Sequence, residues 1–512
     1  MIVSVQKSRL FGEIDAPGSK SYTHRAIFAA SLGESECRLF HCLMSADTIS
    51  TLEACRMFGA RIKETTENGK PVLIVCGFGG KPVVPSNVID VGNSGTTLRL
   101  MTAFSGLLDG DVTLTGDDSI QKRPNTPLIR TLQQMGAQVQ SKNNNDCAPL
   151  TVKGPIRPGA YSIDGGMSSQ FISALLLTCP LLDGDSVIRI DGELKSKPYV
   201  DITLEIAKKA GIEIQETFSE RMQTNEAAAD TADSADAADS ADAAINTVAD
   251  AELAAADAAI NPVSYTELAA ANAILNMVAN AKLAAAGTAA NENTPASLSY
   301  FISGNQTYSL PDYAVPGDFS SVSYILAAGA LIPNAEIKVQ NIFDSAQGDS
   351  AIVDVLKEMG ADVSWDKKAG VIRVSNRGRR LKGIVYDAGK TPDLVPTLAV
   401  LGAFSDGEME IINAAHVRLK ETDRLKAMAV ELKKAGVFIE ETEDGLIISG
   451  EKSKNKLIGA DFHGWDDHRI VMSLFVAGML LGNTTIDTAD SVSISYPHFF
   501  EDMKKVGAVF EK

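Results

Sequence analysis

Several short stretches of this chain gather hydroxyls, fixed cations and carboxylates in patterns that suit the handling of small anions. Residues 16–26 read APGSKSYTHRA: Pro17, Gly18 and Ser19 stand directly before Lys20, Ser21, His24 and Arg25, and an apolar run follows. A Pro-Gly turn, a Ser and then apolar residues mark a helix start, and the free N–H groups of a helix N-terminus attract anions. A capped surface helix with solvated charges is the other reading of the same residues. In VGNSGTTLRLM (residues 91–101), the small residues around Asn93, Gly95 and Thr96 let backbone N–H groups approach a phosphate, and Arg99 adds charge one turn on. GDDSIQKRPNTPL sets Lys122 and Arg123 before Pro124 in a stiff loop. GGMSSQFISALL offers the neutral donors Ser168, Ser169 and Gln170 at another helix start, and KSKPYVDIT adds Ser196, Lys197 and Tyr199.

The second half supplies carboxylates beside its cations. Asp393 in TPDLVPTLAVL precedes an apolar helix, where a plain N-cap is the competing role. VRLKETDRL holds Arg418, Lys420, Glu421, Asp423 and Arg424; at helical spacing Lys420 and Arg424 share one face as an anion clamp, or the charges form surface pairs. WDDHRIVMSLF carries Asp466, Asp467, His468 and Arg469. Cations and hydroxyls at helix starts in both halves of a chain with net charge −18 point to a cleft that closes on polyanionic small molecules. Asp, Glu and His beside those cations supply groups for proton transfer, which indicates chemistry rather than storage.

The elements that must position these residues show as a repeat. RMFGARI, QQMGAQV, KKAGIEI, KEMGADV, KKAGVFI and KKVGAVF each end a helix at a glycine (Gly59, Gly136, Gly211, Gly360, Gly436, Gly507) and begin an alternating strand. The intervals are about 75 residues, doubled only between Gly211 and Gly360. Within that long interval, from about Asn225 to Ser297, the chain turns Ala- and Asp-rich. Three tandem copies of a roughly 15-residue unit begin at Ile245, Ile260 and Leu275. Its acids outnumber its single Lys282 by about ten, and it offers little apolar surface, so it reads as a solvated excursion rather than a partner-binding hairpin. Six mixed β/α units remain, three on each side, which predicts an α/β (α+β) protein of two similar domains.

Composition narrows the classes. At 512 residues two domains are the default. The longest apolar runs, FISALLLTCPLL and VMSLFVAGMLLG, are core-length rather than membrane-length, and the N-terminus lacks a signal peptide's apolar core. Six scattered cysteines without a Cys-x-x-Cys pair indicate a reducing compartment and argue against a zinc site. The acidic balance argues against a nucleic-acid partner.

The motifs in their order, joined by PGDFSS at residues 316–321, resemble the 3-phosphoshikimate 1-carboxyvinyltransferase (EPSP synthase) family of enolpyruvyl transferases over the whole chain apart from about 222–298. The resemblance implies two domains of three βαβαββ modules each: residues 1–16 with 317–512, and residues 17–316, the latter containing the Ala/Asp-rich insertion 222–298. It also implies transfer of the enolpyruvyl group of phosphoenolpyruvate to the 5-hydroxyl of shikimate 3-phosphate, without metal or organic cofactor, by a cytoplasmic monomer. By similarity, Lys20, Ser21, Arg25, Ser168, Ser169, Gln170, Ser196, Tyr199, Asp393 and Lys420 hold shikimate 3-phosphate. Lys20, Asn93, Gly95, Thr96, Arg123, Gln170, Arg424 and Arg469 hold phosphoenolpyruvate. Asp393 is then the base for the 5-hydroxyl, and Glu421, with Lys20, Lys420 and His468 near it, is the acid for the enol methylene. Three positions depart from the family pattern: His416 stands where Asn is common, Ile494 where many members place an anion-binding Lys, and Leu100 where some carry Pro. The first two bear on ligand binding and the third on inhibitor sensitivity. The alternatives are a sister transferase acting on UDP-N-acetylglucosamine, disfavoured because SIQKRPNTP carries no Cys, and a non-catalytic phosphate-binding relative.

Overall fold

The computed structural model describes residues 1–67, 69–219 and 297–512. Among these residues the strands form six four-stranded sheets, all built alike: the first strand runs parallel to the second, the second antiparallel to the third, and the third antiparallel to the fourth. In one unit, strand Ile89–Asp90 leads through helix Gly95–Ser105 to the parallel strand Val112–Thr115. Helix Thr126–Gln134 and the hairpin of Gln138–Ser141 with Leu150–Lys153 then complete the sheet. The repeat read from the sequence has a backbone cause. Gly59, Gly136, Gly211, Gly360, Gly436 and Gly507 all take positive φ (111°, 107°, 80°, 90°, 83° and 103°), the left-handed cap that turns each helix into its strand.

The first helix of each unit is a deeply buried one. Lys20–Leu32, Gly95–Ser105, Ser169–Thr178, Phe319–Leu331, Val395–Ala403 and His468–Leu481 are buried along almost their whole length. A helix apolar on all faces must be enclosed, and the two apolar runs of core length in the sequence are two of these helices. None of the described helices is long and apolar enough to cross a membrane. Their N-terminal ends carry the polar motifs. Ser94, Ser168, Asp318 and Asp467 cap four of them, accepting from the N–H groups of Thr97, Gln170, Ser321 and Arg469.

The buried apolar side chains form two separate cores, one drawn from residues 3–16 with 319–508 and the other from residues 22–315. Strand Val3–Gln6 lies inside a sheet with Thr484–Ile486 and Val509–Glu511, which ties the two ends of the chain together. The chain passes between the cores twice, and the two passages touch at a bridge between Gly18 and Gly317. Pro17 O accepts from Asp318 N (2.9 Å) and Pro316 O from Ser19 N (2.8 Å). A Cβ at Gly18 would lie 1.9 Å from the His41 carbonyl oxygen, and one at Gly317 would lie 2.2 Å from that of Asn341, so only glycine fits at the crossing.

The Ala/Asp-rich segment read over 222–298 lies, as far as residue 296, outside the described residues; Ser297 and Leu298 are already strand. Strand Ser297–Ile302 pairs antiparallel with Ile214–Ser219, with Ser219 opposite Ser297. The segment therefore leaves and returns at adjacent ends of one hairpin, where loop length has a small entropic cost. Joining Ser219 to Ser297 through an Asn-Gly turn should give a folded protein with turnover within about twofold of the parent and a melting midpoint shifted by no more than about 5 °C. Circular dichroism melts and an activity assay check this. A folded variant without turnover would show that residues 220–296 serve more than the surface.

Candidate functional site

A cavity between the two cores collects the starts of the buried helices. One wall carries Lys20, Ser21, Arg25, Gly95, Thr96, Arg99, Arg123, Ser168, Ser169, Gln170 and Tyr199, and the other carries Asp393, His416, Lys420, Glu421 and Arg469.

The first wall is rich in cations and poor in counter-charge. Lys20 Nζ donates to Asp47 Oδ2 at 2.9 Å. Arg25 is buried and donates only to neutral oxygens: Thr203 Oγ1 (2.6 Å), Ser173 Oγ (3.1 Å) and the carbonyls of Ser21 and Tyr199 (3.0 Å each). Burial pushes its guanidinium down to about 10. Arg99 lies over the Phe171 ring at 5.2 Å and donates to Asn125 Oδ1 (3.3 Å) and to Gln170 Oε1. Burial, with Arg123 close by, pushes it down to about 9. Arg123 is held by Asn93 Oδ1 (2.9 Å) and Ser119 Oγ (2.7 Å). A Cβ at Gly95 would come within 2.7 Å of an Arg99 guanidinium nitrogen, so the glycine leaves room for that side chain. Four cations that meet mostly neutral partners favour an anion between them.

The second wall is a charge cluster around Arg424, whose side chain is 1% exposed. Its Nε donates to Asp467 Oδ2 (2.8 Å), Nη1 to Asp393 Oδ1 (2.8 Å) and Nη2 to Glu421 Oε2 (2.6 Å). Asp393 also accepts from Arg469 Nη2 (2.7 Å) and, across the cleft, from the Tyr199 hydroxyl (2.7 Å). Burial opposes the Asp393 charge, but Arg469, Arg424, Lys420 and the Tyr199 hydrogen bond overcome it and hold the carboxyl well below the usual carboxylate range. Glu421 is likewise held low: burial is overridden by Arg424 and by Arg123, which lies 3.9 Å away.

The motif at residues 417–425 is arranged differently from the helical reading. Helix Arg424–Lys434 begins at Arg424, because Asp423 caps it and accepts from Lys426 N at 3.1 Å. Lys420 lies before the cap, so Lys420 and Arg424 do not share a helix face, and the cavity rather than a helical period brings them together. Asp393 is not an N-cap either: it lies in the turn Pro392–Leu394, with its carboxylate on the two arginines.

Most of the residues predicted from the sequence line the cavity. Asn93 and Ile494 face an adjoining cleft with Lys122 and Arg418. Ser196 lies behind the wall at φ 57°, its N–H bonded to Gly389 O at 2.9 Å across the two halves. Arg424 lies beneath the surface, and His468 is fully buried with neither ring nitrogen partnered, held neutral by burial and by Lys20. His416 lines the cavity, also without partners, and is pushed down to about 4 by burial, Lys420 and Lys195. Leu100 is packed within helix Gly95–Ser105. Asp47, the counter-charge to Lys20, belongs to no motif that sequence reading singled out. Arg99 stood in a motif, and only its burial beside Gln170 reveals its place in the wall.

Removing Arg424 takes a charged donor from each of three enclosed carboxylates, although Asp393 keeps Arg469 and Tyr199 and Asp467 keeps the Arg469 N–H. Arg424→Ala should lower stability by about 3–5 kcal/mol in urea unfolding at pH 7. Because Asp393 and Glu421 titrate below their unfolded values, the stability they contribute is present above the ordinary carboxylate range and is lost as pH falls through and below it. The variant should therefore lose less stability than the parent over that acid limb, and an unchanged acid profile would refute this account of the cluster.

The comparisons agree with this architecture. The sequence matches the family model "EPSP synthase (3-phosphoshikimate 1-carboxyvinyltransferase)" over residues 5–289 and 246–503. It is 46% identical over 507 residues to a 3-phosphoshikimate 1-carboxyvinyltransferase of Methanosarcina acetivorans, covering 99% of this chain and 98% of the relative. It is 47% identical over 508 residues to one of Methanococcoides burtonii, with the same coverage. Among solved structures, EPSP synthase from Acinetobacter baumannii superimposes with a TM-score of 0.70 at 24% identity, covering 100% of this chain and 99% of the other. The enolpyruvyl transferase NikO from Streptomyces tendae gives 0.65 at 15% identity, covering 100% and 98%. At these identities the two structures speak for the fold alone.

Proposed function

Because this chain belongs to the EPSP synthase family, and so transfers the enolpyruvyl group of phosphoenolpyruvate to shikimate 3-phosphate in the shikimate pathway, we propose that its cavity divides the two substrates between its two walls and does the proton chemistry with Asp393 and Glu421. The observation that carries this reading is the position of Asp393, bonded at once to Tyr199 of the first wall and to Arg424 and Arg469 of the second.

Shikimate 3-phosphate takes the hydroxyl-rich side, with Lys20, Ser21, Arg25, Ser168, Ser169, Gln170 and Tyr199 around its phosphate and ring, Ser196 behind them and Lys420 facing it. Phosphoenolpyruvate lies among Lys20, Gly95, Thr96, Arg123, Gln170 and Arg469, with Asn93 holding Arg123 from the adjoining cleft and Arg424 acting from beneath through Asp393 and Glu421. Its phosphate and carboxylate draw on the same guanidinium groups that hold Asp393 and Glu421 ionised. Sharing those cations raises the proton affinity of both carboxyls. Asp393 takes the proton of the 5-hydroxyl as that oxygen attacks C2 of phosphoenolpyruvate; Glu421, protonated from solvent once the bound anion has drawn on its arginines, delivers that proton to the methylene carbon, giving a tetrahedral ketal. Glu421 then takes back a proton from the new methyl group, the C–O bond to phosphate breaks, and phosphate leaves with the proton that Asp393 received. The arginines and Lys420 stabilise the charge that develops on the leaving phosphate, and Lys20 serves both substrates.

Residues 1–16 with 317–512 and residues 17–316 are read as two domains of three βαβαββ modules, one for each core, with the crossing at Gly18 and Gly317 as the hinge. Closure expels water from the cavity and shields the ketal. A monomer is the working reading, and six unpaired cysteines support a reducing cytoplasm.

Phosphate release from phosphoenolpyruvate should require shikimate 3-phosphate and be absent with UDP-N-acetylglucosamine. Asp393→Asn and Glu421→Gln should each lower kcat by about 10²-fold or more. Release with the nucleotide sugar alone would reassign the acceptor, and full turnover in either variant would remove that residue from its role.

A further inference from the structure

Behind Asp393 lies a second carboxyl that the reaction above does not use. Asp349, 3% exposed, belongs to the turn Gly348–Ala351. Its Oδ2 accepts from the Ser320 hydroxyl, while Oδ1 is buried without a hydrogen-bond partner. Asp393 takes donors from two arginines and a tyrosine; Asp349 has one neutral donor, and no cation is in contact with it among the described residues. A buried carboxylate so poorly partnered is strongly disfavoured against its acid form.

The turn is held rigidly at the seam between the two cores. Gln347 accepts from Phe319 N (3.0 Å) and donates to Gly317 O (2.8 Å), which fixes the turn to the crossing. A Cβ at Gly348 would come within 2.6 Å of Pro198, so the turn is pressed against helix Lys197–Lys209 of the other core. The groups that face Asp349 are Asp318 and Ser320 from the start of helix Phe319–Leu331, Asp393 from its turn, Arg469 from helix His468–Leu481, Tyr199 from helix Lys197–Lys209, and Tyr386 from strand Val385–Asp387. Arg469, already bonded to Asp393, is the one cation in this group. Burial first, then repulsion from Asp393, pushes the Asp349 carboxyl up to about 7.

We propose that Asp349 is a positioning residue that works as an uncharged carboxylic acid, leaving the charge of Arg469 to Asp393 and to phosphoenolpyruvate. This rests on the roles given above to Asp393 and Arg469. When Asp349 ionises, a second negative charge stands behind Asp393 and competes for Arg469, so the anionic substrate binds more weakly. The loss falls on KM for phosphoenolpyruvate and grows as pH rises through neutrality.

The test is kcat and KM for phosphoenolpyruvate from pH 6 to 9 in the parent, Asp349→Asn and Asp349→Ala. Asparagine keeps the shape and stays neutral at every pH. The parent's KM should rise about tenfold more than that of Asp349→Asn over this range, with kcat at pH 6 equal within about threefold. Ionisation of the substrate phosphate is common to all three proteins and cancels in the comparison. Because the native carboxyl binds its proton more tightly than the unfolded one, the parent should also lose urea resistance relative to Asp349→Asn as pH rises from 5 to 8. A parallel KM profile in parent and Asp349→Asn overturns the proposal, as does loss of turnover in Asp349→Asn at pH 6. If neither variant folds, infrared difference spectra of the parent between pH 6 and 9 must show a buried protonated carboxyl that disappears; no such band overturns it as well. Full turnover in Asp393→Asn would remove the base assignment and leave the infrared titration of Asp349 untouched, so the two failures are separable.

Discussion

The site depends on one buried guanidinium. Arg424 begins one helix, bonds Asp467 at the cap of a second, Asp393 in the turn before a third, and Glu421 in its own approach loop. One side chain thereby fixes the separation of elements from different sheets. Such a cluster adds little to stability when weighed against an apolar core, but breaking it is costly, which makes it a device for specifying geometry. It also sets the electrostatics. Three carboxylates around one arginine leave the cluster negative, and the surrounding Arg469, Lys420, Arg123 and Lys20 offset that charge. Cations already committed to carboxylates can be shared with an incoming anion, and the proton affinity of those carboxylates rises as they are.

The repeated unit explains how so many polar groups reach one place. Each unit holds one helix buried along almost its whole length, and such a helix opens toward the cavity only at its end. Facing the N-terminal ends toward the seam between the cores concentrates N–H groups and their positive dipole ends there. The cleft is therefore favourable to anions although the chain as a whole is strongly acidic. The bridge between Gly18 and Gly317 joins the halves, and at each glycine a carbonyl of its own half comes too close for a side chain.

Local features were legible in the sequence and paired ones were not. The six helix-ending glycines and the helix starts after Ser19 and Ser168 follow from short-range rules, and they appear where the residues indicate. Lys20, Arg25, Arg99, Arg123, Asp393, Lys420, Glu421 and Arg469 of the motifs also reach the seam. Their partners could not be read, because each partner lies on another element: Asp47 with Lys20, Asp467 with Arg424, Tyr199 with Asp393. The helical spacing of Lys420 and Arg424 misled because Asp423 claims the cap between them, a competition that spacing alone does not decide. Strand Tyr313–Ala314 is two residues long and pairs with Glu36–Phe40, far away in the chain, so no local pattern announces it.

The carboxyls near the seam show how environment, not residue type, assigns their state. Asp393 and Asp349 are both aspartates, both enclosed, and close enough to oppose each other's charge. Two arginines and a tyrosine hydroxyl hold one ionised; a single serine hydroxyl leaves the other to be neutralised. Ionising both would divide Arg469 between them and weaken its hold on anything else. The same arginine cannot neutralise two carboxylates and bind a substrate anion at full strength. A site of this kind therefore needs one of its acids to remain uncharged, and the aspartate with the poorer set of donors is the one that does.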